Sequence, residues 1–146
     1  MRTLVILGSG TAGTIAANKL RRRLARDDWA ITVVEQRGAH YYQPAFLFIP
    51  FGRYEPTRAR RKARRYLPGG VARVEGEVER VDPDTRTVSL VDGSELPYDF
   101  LIIATGTSPY PDEILGMADD WHGAVHSFYE YDDAVALRDA IARFDG

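Results

Sequence analysis

Cysteine is absent from this sequence of 146 residues. Its absence excludes a disulfide framework, a cysteine-ligated zinc site and a cysteine nucleophile within the chain. The sequence also lacks any run of about 18 apolar residues, the length that a membrane-spanning helix needs, and it does not begin like a secretory signal peptide. These absences predict a cytoplasmic protein, with peripheral association at the inner membrane as the alternative location.

Two further signals of catalysis are missing. The three histidines, His40, His122 and His126, show no metal-ligand spacing, so no metal site is predicted. The pattern Gly-x-Ser-x-Gly, which marks a nucleophile elbow, does not occur. The sequence therefore gives no catalytic residue, and a functional site has to be sought among binding motifs.

The composition is that of a soluble globular chain, with 45% hydrophobic, 11% aromatic and 27% charged residues. The net charge of −2 conceals an asymmetry. Residues 1–75 contain 15 Lys and Arg against 5 Asp and Glu, whereas residues 76–146 contain 4 against 16. Because the acidic half would repel phosphates, we predict no nucleic-acid partner.

The first 35 residues follow a strand–helix–strand pattern. Residues 2–7 form an uninterrupted apolar run of the kind that suits a parallel strand covered on both faces. A helix ending near Asp27-Asp28 is predicted next, and residues 30–35 form a second apolar, β-branched strand. The apolar face of this helix is predicted to consist of Ala12, Ile15, Ala16, Leu20 and Leu24.

The middle of the chain departs from this alternation. Residues 36–57 are rich in aromatic residues and proline and predict an irregular segment. The basic residues 58–65 are predicted to be helical as far as Pro68-Gly69-Gly70. Residues 71–96 change to a period of two with Asp-Pro-Asp and Asp-Gly turn signals, which predicts a small antiparallel meander.

The last third supplies another apolar strand at residues 100–104 and a helix at residues 132–144. The helix is predicted to bury Val135, Leu137, Ile141 and Phe144. Together the elements predict an incomplete three-layer α/β fold of the Rossmann-like type, with a parallel sheet of two or three strands and an inserted antiparallel meander. We expect residues 1–146 to be the N-terminal part of a nucleotide-binding domain.

The glycine-rich turn after the first strand carries the clearest functional signal. Gly8-x-Gly10-x-x-Gly13 follows a strand and opens a helix, and Glu35 closes the next strand 22 residues after Gly13. Gly8 permits a tight turn, Gly10 lets the backbone approach a diphosphate, and Gly13 lets the helix lie close to the strand. This spacing predicts dinucleotide binding. The alternative is a glycine-rich turn that holds no ligand.

Polar groups at both ends of this motif fit a nucleotide. The amides near Thr11 and Ala12 begin the helix and would face the phosphates. Glu35 can accept hydrogen bonds from both hydroxyls of the adenosine ribose, and its charge disfavours a 2′-phosphate. Ala104-Thr105-Gly106 ends a buried strand, where open α/β sheets bind ligands, and its small residues permit close approach.

The order of elements resembles the flavoprotein superfamily that binds two dinucleotides. Within it, the residues from His40-Tyr-Tyr-Gln-Pro44 to Phe48-Ile-Pro-Phe-Gly52, and Ser127-Phe-Tyr129, resemble the sulfide:quinone oxidoreductase family. Type II NADH:quinone dehydrogenases are similar over the same stretch. The resemblance covers essentially the whole chain.

The resemblance implies an FAD-dependent oxidoreductase that passes electrons from sulfide to a quinone. Gln36 would lie at the adenine, the backbone of Val78 would pair with adenine, and Pro44 would lie close to the flavin ring. The pyrophosphate, the ribose and the border of the FAD cleft would be held by Gly8, Gly10, Thr11, Ala12, Gly13, Glu35, Ala104, Thr105 and Gly106.

Members of this family are two to three times longer than this chain. The resemblance therefore implies that the second domain, the redox cysteines and the membrane-associated region lie outside it. We expect the chain alone to be inactive and to retain FAD weakly or not at all. The missing half would come from the remaining part of the flavoprotein or from a homo-oligomer partner.

Other functions stay open at this point. The enzyme could use NADH as its electron donor, or the chain could be a nucleotide-binding module without catalysis. The six basic residues within positions 58–65 are interpreted as a solvated helix, with an anionic membrane surface as the second interpretation.

Overall fold

The computed structural model describes residues 1–145, which divide into two compact units. The first unit comprises Met1–His40 and Lys62–Gly106, and the second comprises Tyr41–Arg61 and the segment that begins at Thr107. Within the described residues the strands are β1 (Arg2–Leu7), β2 (Trp29–Glu35), β3 (Ala39–Tyr41), β4 (Arg60–Lys62), β5 (Ala72–Glu75), β6 (Val78–Asp82), β7 (Thr87–Leu90), β8 (Glu95–Pro97) and β9 (Phe100–Ile103). The α-helices are α1 (Thr11–Arg23), α2 (Pro56–Ala59) and α3 (Tyr131–Arg143).

A four-stranded sheet forms the centre of the first unit, with the order β5-β2-β1-β9. All of its strand pairs are parallel, and Leu7 of β1 is aligned with Val34 of β2 and with Ile103 of β9. The side chains from Leu4 to Leu7 are buried, as expected for a strand covered on both faces. The predicted parallel sheet is confirmed, and it has four strands instead of the two or three expected.

Separate apolar clusters cover the two faces of this sheet. On one face, Ile6 and Val33 pack with Ala17 of α1. On the other, Val5 and Val34 pack with the meander of β6, β7 and β8, in which Val88 and Leu90 are buried; the meander is a three-stranded antiparallel sheet. Helix, parallel sheet and meander are therefore the three layers of the unit, as predicted.

The meander begins later than the sequence suggested. Residues 72–75 form β5 and pair in parallel with β2, so the prediction of one meander over residues 71–96 is wrong for this strand. The chain leaves the parallel sheet at Gly76, whose N–H donates to the Glu35 carbonyl at 3.0 Å. A Cβ at Gly76 would lie 2.9 Å from Cδ1 of Leu90, so the crossing is close. A period of two is common to parallel and antiparallel strands, and the alternation could not separate them.

The predicted helix over residues 58–65 is also wrong. Helix α2 ends at Ala59, β4 follows, and Ala63–Arg65 form a 3₁₀ turn. Strand β4 pairs with β3 in a two-stranded sheet. On a helix, like charges three or four residues apart repel one another, and the short extended segment separates these cations.

Helix α1 is shorter than predicted, and its predicted apolar face is correct for Ala16, Leu20 and Leu24, which pack against the core, but not for Ala12 and Ile15. It ends at Arg23, well before Asp27-Asp28. Ala17 is fully buried, whereas Ala12 is exposed and Ile15 is 49% exposed. Near its end, Arg21 is buried and its guanidinium donates to the carbonyls of Leu24, Trp29 and Gly70.

The second unit has its own apolar cluster. The 3₁₀ helix Gln43–Leu47 contributes Ala45 and Phe46, and α3 contributes Ala134. The helix predicted for residues 132–144 is present as α3, but Ile141 and Phe144 are 43% and 79% exposed, so their predicted burial is wrong. The fully buried residues of α3 lie in its first turn, and Val135, which was predicted to be buried, packs partly buried against this cluster.

No helix in residues 1–145 is both long enough and apolar enough to cross a lipid bilayer.

Candidate functional site

The turn between β1 and α1 is built on two glycines that admit no side chain. Gly8 has φ +98°, and a Cβ there would overlap the carbonyl group of Ala104. A Cβ at Gly13 would overlap the Gly8 carbonyl oxygen. The turn, the start of α1 and the end of β9 are thus packed backbone against backbone, as the motif predicted for Gly8 and Gly13.

Gly10 differs from these two glycines. Among the described residues, no atom lies within 4 Å of the position that its Cβ would occupy. Thr11 and Ala12 follow it in the exposed first turn of α1, where helix geometry leaves the N–H groups without intrahelical acceptors. The first intrahelical bond runs from Thr14 N–H to the Gly10 carbonyl, at 3.0 Å. Open space beside unpaired amides at a helix N-terminus suits a diphosphate.

Glu35 ends β2 directly beside this turn. Its side chain is only 4% exposed, and its Oε2 accepts a hydrogen bond from the Ser9 hydroxyl at 2.8 Å. Its Oε1 accepts two hydrogen bonds from Arg73, from Nε at 3.1 Å and from Nη2 at 2.9 Å. The carboxylate therefore lies at the glycine turn, as the spacing of 22 residues implied. A carboxylate has about four acceptor positions, so the described part of the chain uses three of them and leaves one.

Ser9 links the turn to two further elements. Its carbonyl accepts a hydrogen bond from the Thr14 hydroxyl at 2.9 Å and lies 3.0 Å from Nδ1 of His40. The His40 ring in turn packs on Tyr66, with 4.4 Å between ring centroids. The hydroxyl and the carbonyl of Ser9 thus connect the turn to β2, to α1 and to His40.

Arg73 connects Glu35 to a second carboxylate. Its Nη2 also donates to Oε2 of Glu75, which lies on the same strand. The hydrogen bond to Glu35, together with the charges of both carboxylates, raises the pKa of Arg73 above its ordinary value. Gly38 approaches this cluster so closely that a Cβ there would lie 3.6 Å from Arg73 and 3.8 Å from Glu35.

The remaining predicted site residues are less closely tied to the turn. Gln36 is exposed and follows β2, and Val78 is partly buried at the start of β6. Thr105 and Gly106 are exposed beyond the end of β9, where the Ala104 N–H donates to the Leu7 carbonyl at 2.8 Å.

Pro44 belongs to the second unit, in the 3₁₀ helix Gln43–Leu47. Its predicted place beside a flavin ring stays a prediction. The same unit contains a contact between Nε2 of His122 and the buried Asp133, at 2.8 Å. That contact joins a loop to the first turn of α3 and requires no ligand to explain it.

Sequence reasoning missed Ser9, His40 and Arg73 as parts of this site. Ser9 lies inside the glycine motif, so the spacing between this motif and Glu35 could have predicted that Ser9 lies close to the carboxylate. Arg73 could be found only by placing β5 beside β2, where Arg73 is aligned with Val33 and Glu75 with Glu35. The sequence did not indicate that His40 contacts the turn, because the contact is to a backbone carbonyl, which every residue carries.

Comparison with protein families decides the membership of this chain. The family model of the pyridine nucleotide-disulphide oxidoreductases matches residues 2–143. The chain belongs to this family.

Individual relatives are consistent with that membership. The chain is 29% identical over 130 residues to the mitochondrial sulfide:quinone oxidoreductase of Dictyostelium discoideum, covering 88% of this chain and 28% of the relative. It is also 29% identical over 147 residues to the mitochondrial external NADH-ubiquinone oxidoreductase 2 of Saccharomyces cerevisiae, covering 94% of this chain and 26% of the relative. The chain thus spans little more than a quarter of the length of these proteins.

A solved structure supports the fold. The sulfide:quinone oxidoreductase of Aquifex aeolicus superposes with a TM-score of 0.82 at 22% identity, covering 97% of this chain and 32% of that one. The predicted Rossmann-like architecture is confirmed, and so is the resemblance of the chain to the sulfide:quinone oxidoreductases.

Proposed function

We propose that this chain is the part of an FAD-dependent, sulfide:quinone oxidoreductase-like enzyme that binds the adenosine diphosphate of the cofactor. The observation that carries the proposal is the contact between Ser9 and Glu35. It brings the buried carboxylate of β2 to the same turn whose glycines and helix amides suit a diphosphate, as nucleotide binding at a Rossmann turn requires.

Different residues of the first unit would bind different parts of the cofactor. The amides of Thr11 and Ala12, with the open space beside Gly10, would hold the pyrophosphate. Glu35 would bind the ribose, and Gln36 and Val78 would border the adenine. Ala104, Thr105 and Gly106 would border the cleft beside Gly8. Bound FAD supplies the redox chemistry, and the protein supplies position and electrostatics.

Sulfide and quinone are the proposed substrates of the whole enzyme. They follow from the names of the relatives from Dictyostelium discoideum and Aquifex aeolicus. The Saccharomyces cerevisiae relative supports the alternative of NADH as donor. The second half of the site would come from the remaining part of the flavoprotein or from a second copy of the chain.

Nucleotide binding is tested on the purified 146-residue chain by isothermal titration calorimetry with ADP and with FAD. We expect ADP to bind, and FAD to bind little more tightly, because the groups that suit a ligand at this turn face the adenosine diphosphate part of the cofactor. Glu35→Gln should weaken the binding of ADP. Arg80→Gln should not, because the exposed side chain of Arg80 pairs with Asp82. Absence of ADP binding by the unsubstituted chain would contradict the proposal. Tight FAD binding, with the chain purifying yellow, would contradict the expected weak retention.

The electron donor is tested most cheaply by the DNA sequence that follows codon 146. Codons for cysteines would support sulfide as donor. A second Gly-x-Gly-x-x-Gly without cysteines would support NADH. A stop codon followed by unrelated sequence would favour the nucleotide-binding module without catalysis.

Association with an anionic membrane is a second candidate property. Arg58, Arg60, Lys62, Arg64 and Arg65 are exposed. Each exposed cation near an anionic bilayer contributes about 1 kcal/mol. Sedimentation with phosphatidylserine vesicles at low salt is the test, and failure to sediment leaves these residues as a solvated surface.

A further inference from the structure

Arg73 is the cation that faces Glu35, and it holds one oxygen of that carboxylate completely. Nε and Nη2 both donate to Oε1, which fills the two acceptor positions of this oxygen. Oε2 accepts one hydrogen bond, from Ser9, and keeps one position open. Among residues 1–145, the geometry therefore leaves a single place on Glu35 for a further donor, and that place is on Oε2.

Burial makes this arrangement necessary. The Glu35 side chain is 4% exposed, and a buried carboxylate without a cation is strongly disfavoured. Arg73 is itself 29% exposed and remains partly in contact with solvent. Of the other nearby titratable groups, Glu75 accepts a hydrogen bond from the same Nη2 of Arg73, and His40 contacts the carbonyl of Ser9.

We propose that Arg73 is a positioning residue of the ribose site. It fixes Oε1 through two hydrogen bonds, so that the open position on Oε2 accepts a hydrogen bond from one ribose hydroxyl. This inference rests on the proposed binding of a nucleotide at the turn. It also makes the proposed ribose contact more specific, because Glu35 would contact one hydroxyl, and not two, while Ser9 keeps its hydrogen bond to the carboxylate.

The test measures discrimination between riboses, and not affinity alone. The 146-residue chain is titrated with ADP and with its 2′-deoxy and 3′-deoxy analogues, and the larger loss of affinity is taken as the ribose discrimination. We expect about tenfold or more in the unsubstituted chain, the usual effect of a hydrogen bond to a charged group. Arg73→Gln should reduce it to about onefold, and Arg73→Lys, which keeps the charge, should restore part of it.

Two controls separate positioning from a general structural effect. Arg80→Gln makes the same change on a cation of β6 and should leave the discrimination unaltered. In a Glu35→Gln background, Arg73→Gln should change neither affinity nor discrimination, because its effect passes through Glu35. This double variant also removes the charges of Glu35 and Arg73 together, so it stays informative if Arg73→Gln alone does not fold.

The outcomes are distinct. Full discrimination retained in Arg73→Gln, or a further loss of ADP affinity when Arg73→Gln is added to Glu35→Gln, overturns the inference. An unsubstituted chain that binds ADP without discriminating between riboses also overturns it, while diphosphate binding stands. An unsubstituted chain that binds no ADP overturns both the inference and the proposed function.

Discussion

Two turns of the first unit both contain glycine at positive φ, but different parts of the chain fix them. The β1–α1 turn is fixed from a distance, because Ser9 contacts Glu35 and His40, which lie 26 and 31 residues further along the chain. The β7–β8 turn closes on itself, since Oδ1 of Asp92 accepts hydrogen bonds from the N–H and hydroxyl of Ser94, at 2.9 and 2.6 Å. A turn held by distant elements can carry a preformed site, whereas a self-closing turn only reverses the chain.

Gly13→Ala tests the distant turn and has the largest expected effect. The added Cβ would overlap the backbone of Gly8, which cannot move without displacing β1 or β9. We expect a loss of about 4 kcal/mol or more in the free energy of unfolding, measured by urea denaturation, or failure to fold. Gly10→Ala is the matched control, because its Cβ enters open space. Equal denaturation midpoints for Gly13→Ala and the unsubstituted chain would show that the turn is not packed as described.

Leu90→Ala tests whether packing against the parallel sheet stabilises the meander. Leu90 is fully buried against the parallel sheet, so its truncation should cost about 2–5 kcal/mol. Val91, the next residue, is 62% exposed, and Val91→Ala should change stability by less than about 0.5 kcal/mol. Similar losses for both variants would mean that the meander does not pack on the sheet.

Gly93→Ala tests the local turn. Gly93 has φ +84°, but in the described part of the chain no atom lies within 4 Å of its missing Cβ. Only backbone strain is introduced, and we expect a loss of about 1 kcal/mol by thermal or urea unfolding. Asparagine tolerates this conformation better, so Gly93→Asn should cost less. A loss as large as that of Gly13→Ala would remove the distinction between the two turns.

The smallest expected effect is a pH dependence at the β6–β7 turn, which also closes on itself, because the N–H groups of Asp84 and Thr85 donate to Oδ1 of Asp82. The backbone N–H of Thr85 bonds the Asp82 carboxylate and lowers the pKa of Asp82. A lowered pKa stabilises the fold above the unfolded value of about 3.9, and this contribution is lost as the pH falls through the folded value. Asp82→Asn should therefore flatten the fall in unfolding free energy below about pH 4. Asp84→Asn serves as the control, and an identical acid profile for Asp82→Asn and the unsubstituted chain would contradict the prediction.

The same contrast explains what could be predicted from the sequence. The apolar run of β1, the glycine motif and the Asp92-Gly93 turn are local patterns, and each predicted its structure correctly. The pairing of β5 with β2 joins residues about 40 positions apart, which no local pattern reveals. The position of Arg73 beside Glu35 depends on this pairing and therefore could not be predicted. The alternation that predicted a meander is equally compatible with a parallel edge strand.

Charge gave a similar lesson at residues 58–65. A run of cations was interpreted as one helix, but Ala59 and Ala63 are buried and the chain is extended between them. The predicted burial of Ile141 and Phe144 failed for a related reason, because periodicity shows an apolar face but not how much of it finds a partner.

The contacts at the end of α1 should depend less on pH and salt than the turns closed by the carboxylates of Asp82 and Asp92. Arg21 donates to three backbone carbonyls, and carbonyl oxygens take up no proton in acid. Dissolved ions also compete poorly for a buried guanidinium. The connection between α1 and β2 should therefore persist in acid and in high salt, so that hydrogen exchange there stays slow after the Asp82 turn has loosened.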